Sequence, residues 1–124
     1  MEARLRKMVR ERARERCEYC NLSQDDSALS FHIEHIIPKQ HGGQTALENL
    51  ALACPNCNLH KGPNLTGYDP DTGKICTLFH PRQHEWGDHF ERYQGRISGT
   101  TAMGRTTVWL LEMNREEQQN LRLD

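Results

Sequence analysis

Two Cys-x-x-Cys pairs, Cys17-Glu18-Tyr19-Cys20 and Cys54-Pro55-Asn56-Cys57, constrain this chain more than any other feature. A pair at this spacing puts both sulfurs on one side of a tight turn. Two such pairs far apart in sequence can wrap one tetrahedral zinc and so fix both ends of the chain between them. One pair alone would serve equally as a redox dithiol, and inert buried thiols are a third reading. The second pair favours the structural zinc, and a reducing compartment disfavours two disulfides. Cys76 is left over and is expected as a small core residue.

The chain has 124 residues, of which 35% are hydrophobic, which predicts one domain with a small core that gains from a metal staple. No apolar run approaches membrane-spanning length, and the N-terminus lacks the apolar centre of a secretory signal. The expectation is a cytoplasmic protein with no membrane partner. Net charge is -1, so the molecule is no polycation. Residues 1–16 nevertheless carry seven basic and three acidic side chains, which leaves the remainder net acidic. A nucleic acid would meet a local basic patch there; the plainer reading is a solvated helix laced with i,i+4 charge pairs.

Residues 3–15 contain good helix formers and no Gly or Pro, with a narrow apolar stripe of Leu5, Met8, Val9 and Ala13. Residues 21–30 read as a polar loop in which Asp25 and Asp26 mark a turn or cap. Phe31 to Ile37 reads as a strand, Pro38 and Gly42-Gly43 open a loop, and Leu47, Leu50 and Leu52 anchor a second strand. Cys54 to Cys57 turns the chain into a short helix from Asn58 to Lys61, stopped by Gly62-Pro63. Beyond it, residues 69–73 predict a hairpin turn and Ile75 to Phe79 a strand. Trp86 and Phe90 predict an inward-packing helical turn. His80, His84 and His89 are weak candidates for a second metal site, and Arg92 and Arg96 are candidate phosphate contacts. Arg105 to Leu111 predicts a strand. Asn114 with Glu117 predicts a capping box opening a polar, fraying C-terminal helix.

The residues Glu34-His35-Ile36-Ile37-Pro38, Gly42-Gly43, Glu48-Asn49-Leu50 and Cys54-x-x-Cys57-Asn58-x-x-Lys61 occur in the order of the HNH endonuclease signature. On these motifs the chain resembles that family, in its His-Asn-Asn form. The resemblance implies an α+β fold with a small ββα-metal (His-Me finger) core and a four-cysteine zinc site. A basic helix over 1–16 would precede a core over 17–62, and accessory strands and a C-terminal helix over 63–124 would follow, all in one nuclease domain.

The resemblance also implies roles. His35 would be the general base, and Glu34 and Asn58 would hold a catalytic Mg2+ or Mn2+. Asn49 would hold the loop and orient the histidine. Cys17, Cys20, Cys54 and Cys57 would bind the zinc, which has no open position and no catalytic task. Arg10, Arg14, His60 and Lys61 are the candidate DNA contacts. A histidine titrating near 6.5 suits a base at neutral pH. The expected activity is metal-dependent hydrolysis of DNA phosphodiesters, by a monomer or a homodimer. The rival is a zinc-stabilised nucleic-acid-binding module without activity.

Overall fold

The computed structural model describes residues 1–123. Helix α1 spans Ala3–Arg12, shorter than expected. It ends because Arg14 and Glu15 both take left-handed backbone, with φ of 55°. That turn delivers the first cysteine pair, whose loop closes through the Cys17 amide donating to Leu22 O at 2.8 Å. Val9 is the buried residue of α1. Arg12, though exposed, reaches over the strands, donating to Leu47 O at 2.8 Å and Leu50 O at 2.6 Å.

Strands β1 (His32–His35) and β2 (Leu50–Ala53) pair antiparallel, with Glu34 opposite Ala51 and His35 opposite Leu50. All four residues of β2 are buried, with both α1 and α2 packed against it. Residues 47–49, expected in the second strand, form a 3-10 turn instead. Helix α2 spans Pro55–Lys61 and starts three residues earlier than expected. Cys54 is its N-cap, and its sulfur accepts the Cys57 amide at 3.4 Å. Pro55 fits the first turn, where no intrahelical amide bond is lost.

Residues beyond 62 form two hairpins and three helices among the described residues. Strands β3 (Thr66–Tyr68) and β4 (Ile75–Thr77) flank the turn expected at 69–73. Cys76 lies on β4, half-buried and not in the core. Helix α3 (Trp86–His89) leads into β5 (Phe90–Tyr93), which pairs with β6 (Arg96–Gly99). Trp86 stacks on Phe90 as expected, with ring centroids 5.1 Å apart. The Gln94-Gly95 turn between two β-rich stretches was the legible sign of this hairpin.

Helix α4 spans Ala102–Leu110, where the sequence predicts a strand. The Thr101 hydroxyl caps it by accepting the Gly104 amide at 3.0 Å. Thr107 is accommodated because its hydroxyl donates to Met103 O at 2.8 Å and accepts the Phe79 amide at 2.9 Å. Helix α5 spans Glu116–Arg122. The capping box is absent: Asn114 instead clamps β6, donating to Ile97 O at 2.7 Å and accepting the Ile97 amide at 2.9 Å. One apolar cluster, including Val9, Tyr19, Leu52, Phe79, Phe90, Ile97 and Met113, runs through both parts of the chain.

Arg105 of α4 grips the first of these hairpins. Its guanidinium donates to both oxygens of Asp69, at 3.1 and 2.8 Å, and Asp69 is 1% exposed. Those bonds, aided by the Asp71 amide and the Thr72 hydroxyl and opposed by burial, hold the Asp69 carboxyl well below the usual carboxylate range. A carboxyl lowered by folding contributes stability above its ordinary value of 3.8 and loses it as pH falls further. Asp69→Asn is therefore expected to lower the melting temperature at pH 7. Thermal melts should show the gap to wild type narrowing progressively as pH falls below 3.8.

Candidate active site

Cys17, Cys20, Cys54 and Cys57 are buried and unbridged, and their four sulfurs lie within 4.8 Å of one another. Cys20 and Cys54 Sγ approach to 3.7 Å across the two pairs. Within each pair, the amide of the second cysteine donates to the sulfur of the first, at 3.4 Å. Four convergent thiols with inward amide donors and no disulfide make a cluster able to coordinate a metal ion. Among the described residues His80, His84 and His89 join no such group; their rings meet edge to face, with centroids 6.4 and 5.6 Å apart.

Strand alternation splits the Glu34-His35 pair. Glu34 turns inward and is 8% exposed. Tyr19, which sits inside the first cysteine pair, donates its hydroxyl to Glu34 Oε1. Lys61 Nζ lies 3.5 Å from Glu34 Oε2 and donates to Ile36 O at 2.9 Å. Burial pushes the Glu34 carboxyl up to about 7, against the pull of Lys61 and Tyr19. Asn58 stands one turn before Lys61 on α2, so it shares the helix face that meets Glu34.

His35 turns to the other face. Its Nε2 lies 2.8 Å from the Thr45 hydroxyl. Partial burial, and secondarily the charge of Lys39, lower its pKa, which favours the neutral imidazole. Thr45 fixes the ring, and it carried no sequence signal beyond lying in the loop after the glycines.

Asn49 shapes that loop. Its Oδ1 accepts the Ile37 amide at 2.9 Å, and its Nδ2 donates to Ile37 O at 3.0 Å and Gln44 O at 2.9 Å. The two glycines serve the same closure. Gly42 has φ of 89°, and a Cβ on Gly43 would lie 1.6 Å from Ile37 O.

The expected DNA contacts fare differently. Lys61 is 2% exposed and engaged within the chain by Glu34 and Ile36 O. His60 is likewise engaged inside the chain, through Asn56 O at 2.8 Å and the Glu112 carboxylate at 3.1 Å. Arg10 donates to Phe31 O at 2.9 Å and pairs with Glu15 at 3.2 Å. Arg14 is exposed just past the end of α1. Arg92 also turns inward, donating to the carbonyls of Asn21, Gln94 and Arg122. Tyr19 was missed as a site residue; its place between two ligand cysteines was the available signal.

This arrangement, two strands with a pinned loop between them and a helix behind, is the ββα-metal architecture. A protein-family profile described as HNH endonuclease matches residues 17–64. Those residues are an HNH endonuclease domain with a four-cysteine cluster able to coordinate a metal ion. The chain is similar to the Septu protein PtuB of Bacillus thuringiensis, at 24% identity over 106 residues. That alignment covers 84% of this chain and 38% of the relative, so the chain spans well under half the relative's length. No solved structure matches. No helix among the described residues is long and apolar enough to cross a membrane.

Asn49→Ala would remove all three loop bonds and leave the partly buried groups at Ile37 and Gln44 unpaired. It is expected to cost roughly 2–4 kcal/mol in denaturant unfolding, since each orphaned group is worth about 1–3 kcal/mol.

Proposed function

We propose that this protein is a metal-dependent endonuclease that hydrolyses DNA phosphodiester bonds, with zinc at the four cysteines. The observation that carries the reading is the division of labour on β1. His35 presents a neutral imidazole beside a pinned loop, while its neighbour Glu34 turns a carboxylate to the face of α2 that bears Asn58.

Hydrolysis needs a group that takes a proton from the attacking water, and His35 is the residue assigned that role in this reading. Thr45 and the Asn49-pinned loop hold the ring in one orientation. Glu34 and Asn58 offer a carboxylate and an amide oxygen, a donor set that suits Mg2+ or Mn2+. Tyr19 and Lys61 each engage one Glu34 oxygen and fix its direction; each oxygen retains a further lone pair. A divalent ion held there would supply positive charge to the phosphate and the departing oxygen. Lys61 keeps the buried carboxylate charge-balanced, which opposes its protonation near neutral pH. At the cysteines, Cys17, Cys20, Cys54 and Cys57 would hold a zinc ion with no position left open for substrate, so its role there would be structural.

Nicking of supercoiled plasmid with magnesium or manganese tests the reading. Wild type should cut, and His35→Ala should cut roughly 10²–10⁴-fold more slowly, the usual worth of a general base. Zinc content and DNA binding should be unchanged in that variant. If zinc-loaded wild type binds DNA but leaves it intact with every divalent ion tried, the binding module without activity replaces the nuclease.

A further inference from the structure

The turn from His80 to His84, just beyond β4, carries two histidines in one fixed state. Pro81 presets the backbone at its second position. His80 O accepts the amides of Gln83 at 3.0 Å and His84 at 2.9 Å. The turn is tied down on both sides. The Phe79 amide donates to Thr107 Oγ1 at 2.9 Å, and the Arg82 guanidinium pairs with Glu18.

Backbone donors decide where each ring keeps its proton. The His80 amide donates to His84 Nδ1 at 3.1 Å, and the Arg82 amide donates to His80 Nδ1 at 3.2 Å. A backbone amide can only donate, so both Nδ1 atoms offer lone pairs and each neutral ring carries its proton on Nε2. Protonating either ring would set a second N–H against its amide donor, so these bonds favour the neutral form. Burial, and then the neighbouring His84, also lower the His80 pKa. The state leaves neither ring a free lone pair for a metal ion. It leaves each an N–H donor. Among the described residues neither Nε2 meets an acceptor, and neither is a buried orphan, so both reach solvent.

Both rings line a cavity of about 260 Å³, together with Ile36, Ile37, Lys61 and Asn64. Ile36 and Ile37 directly follow Glu34 and His35, so the cavity opens beside the end of β1. Among the described residues no carboxylate lines it, and Lys61 is its one cation. Donors without opposing negative charge suit an anionic acceptor.

We propose that His80 and His84 form a subsite for one backbone phosphate of the DNA, held through neutral Nε2–H donors. The choice of ligand rests on the nuclease reading. A contact of this kind fixes the position of a duplex without reading its sequence.

The test is equilibrium binding of the zinc-loaded full chain to a short DNA duplex across a range of salt, without magnesium or manganese. His80→Asn and His84→Asn each keep an oxygen able to accept the backbone amide and lose the Nε2 donor. Each is expected to bind about 10–100-fold more weakly, typical of a lost hydrogen bond to a charged group, with wild-type zinc content and melting temperature. The slope of log affinity against log salt should stay at the wild-type value, because a neutral donor releases no counterion; losing a cation would reduce it by about 0.9. Wild-type affinity in both variants, or a reduced slope, would overturn the proposal. Nitrogen-15 spectra of the unsubstituted protein check it independently. Nδ1 should be unprotonated and Nε2 protonated at His80 and His84, and the Nε2 signals should move when duplex is added. Protons on Nδ1, or Nε2 signals that ignore the DNA, would sink it. Wild type that binds no duplex overturns both readings, whereas wild type that binds but never cuts ends the nuclease reading alone, since every readout here is of binding.

Discussion

The rest of this chain depends on four sulfur atoms meeting within 4.8 Å. Cys17 and Cys20 come from a loop that follows α1, and Cys54 and Cys57 from the start of α2. Joining them brings the end of the basic helix, both strands and the short helix into one cluster. The β1–β2 hairpin has only four residues per strand and would be marginal alone. With α1 and α2 packed against it, β2 is wholly buried, and the small apolar content of the chain suffices.

The metal module was legible because its chemistry leaves residue types that nothing else requires. Two cysteine pairs, adjacent glycines and an Asn-Leu step mark the loop without any packing information. Asn49 was read as the residue that holds the loop, and its three bonds to Ile37 and Gln44 do so. The inward turn of Glu34 was less legible. Period-2 alternation separates it from His35, but only the fold places Tyr19 and Lys61 around it. Lys61, His60 and Arg10 were read as candidate DNA contacts because sequence carries no burial. A buried lysine next to a buried glutamate cannot be told from two exposed ones.

The second half was harder for a related reason. Thr106, Thr107 and Val108 favour strands by propensity, yet α4 forms because Thr101 caps it and the Thr107 hydroxyl is satisfied by Met103 O and the Phe79 amide. Tertiary partners outweighed a preference worth a few tenths of a kcal/mol per residue. Asn114 was drawn from a helix cap to a strand clamp in the same way. The accessory region also binds the core directly, through Asn56 to the carbonyls of Leu111 and Glu112 and through Trp86 Nε1 to Tyr19 O at 2.9 Å.

Tyr19 occupies one of the two positions between the cysteines of the first pair, and its hydroxyl holds Glu34. The carboxylate assigned to catalysis is thus aimed by a side chain whose own backbone is shaped by sulfur coordination. Oxidants and chelators that strip the thiols of metal would slacken that turn first. Glu34 would then swing out of line while much of the apolar cluster still held. On the proposed nuclease reading, loss of the cysteine cluster would thus reach the carboxylate on β1 through a single tyrosine, before the rest of the fold gives way.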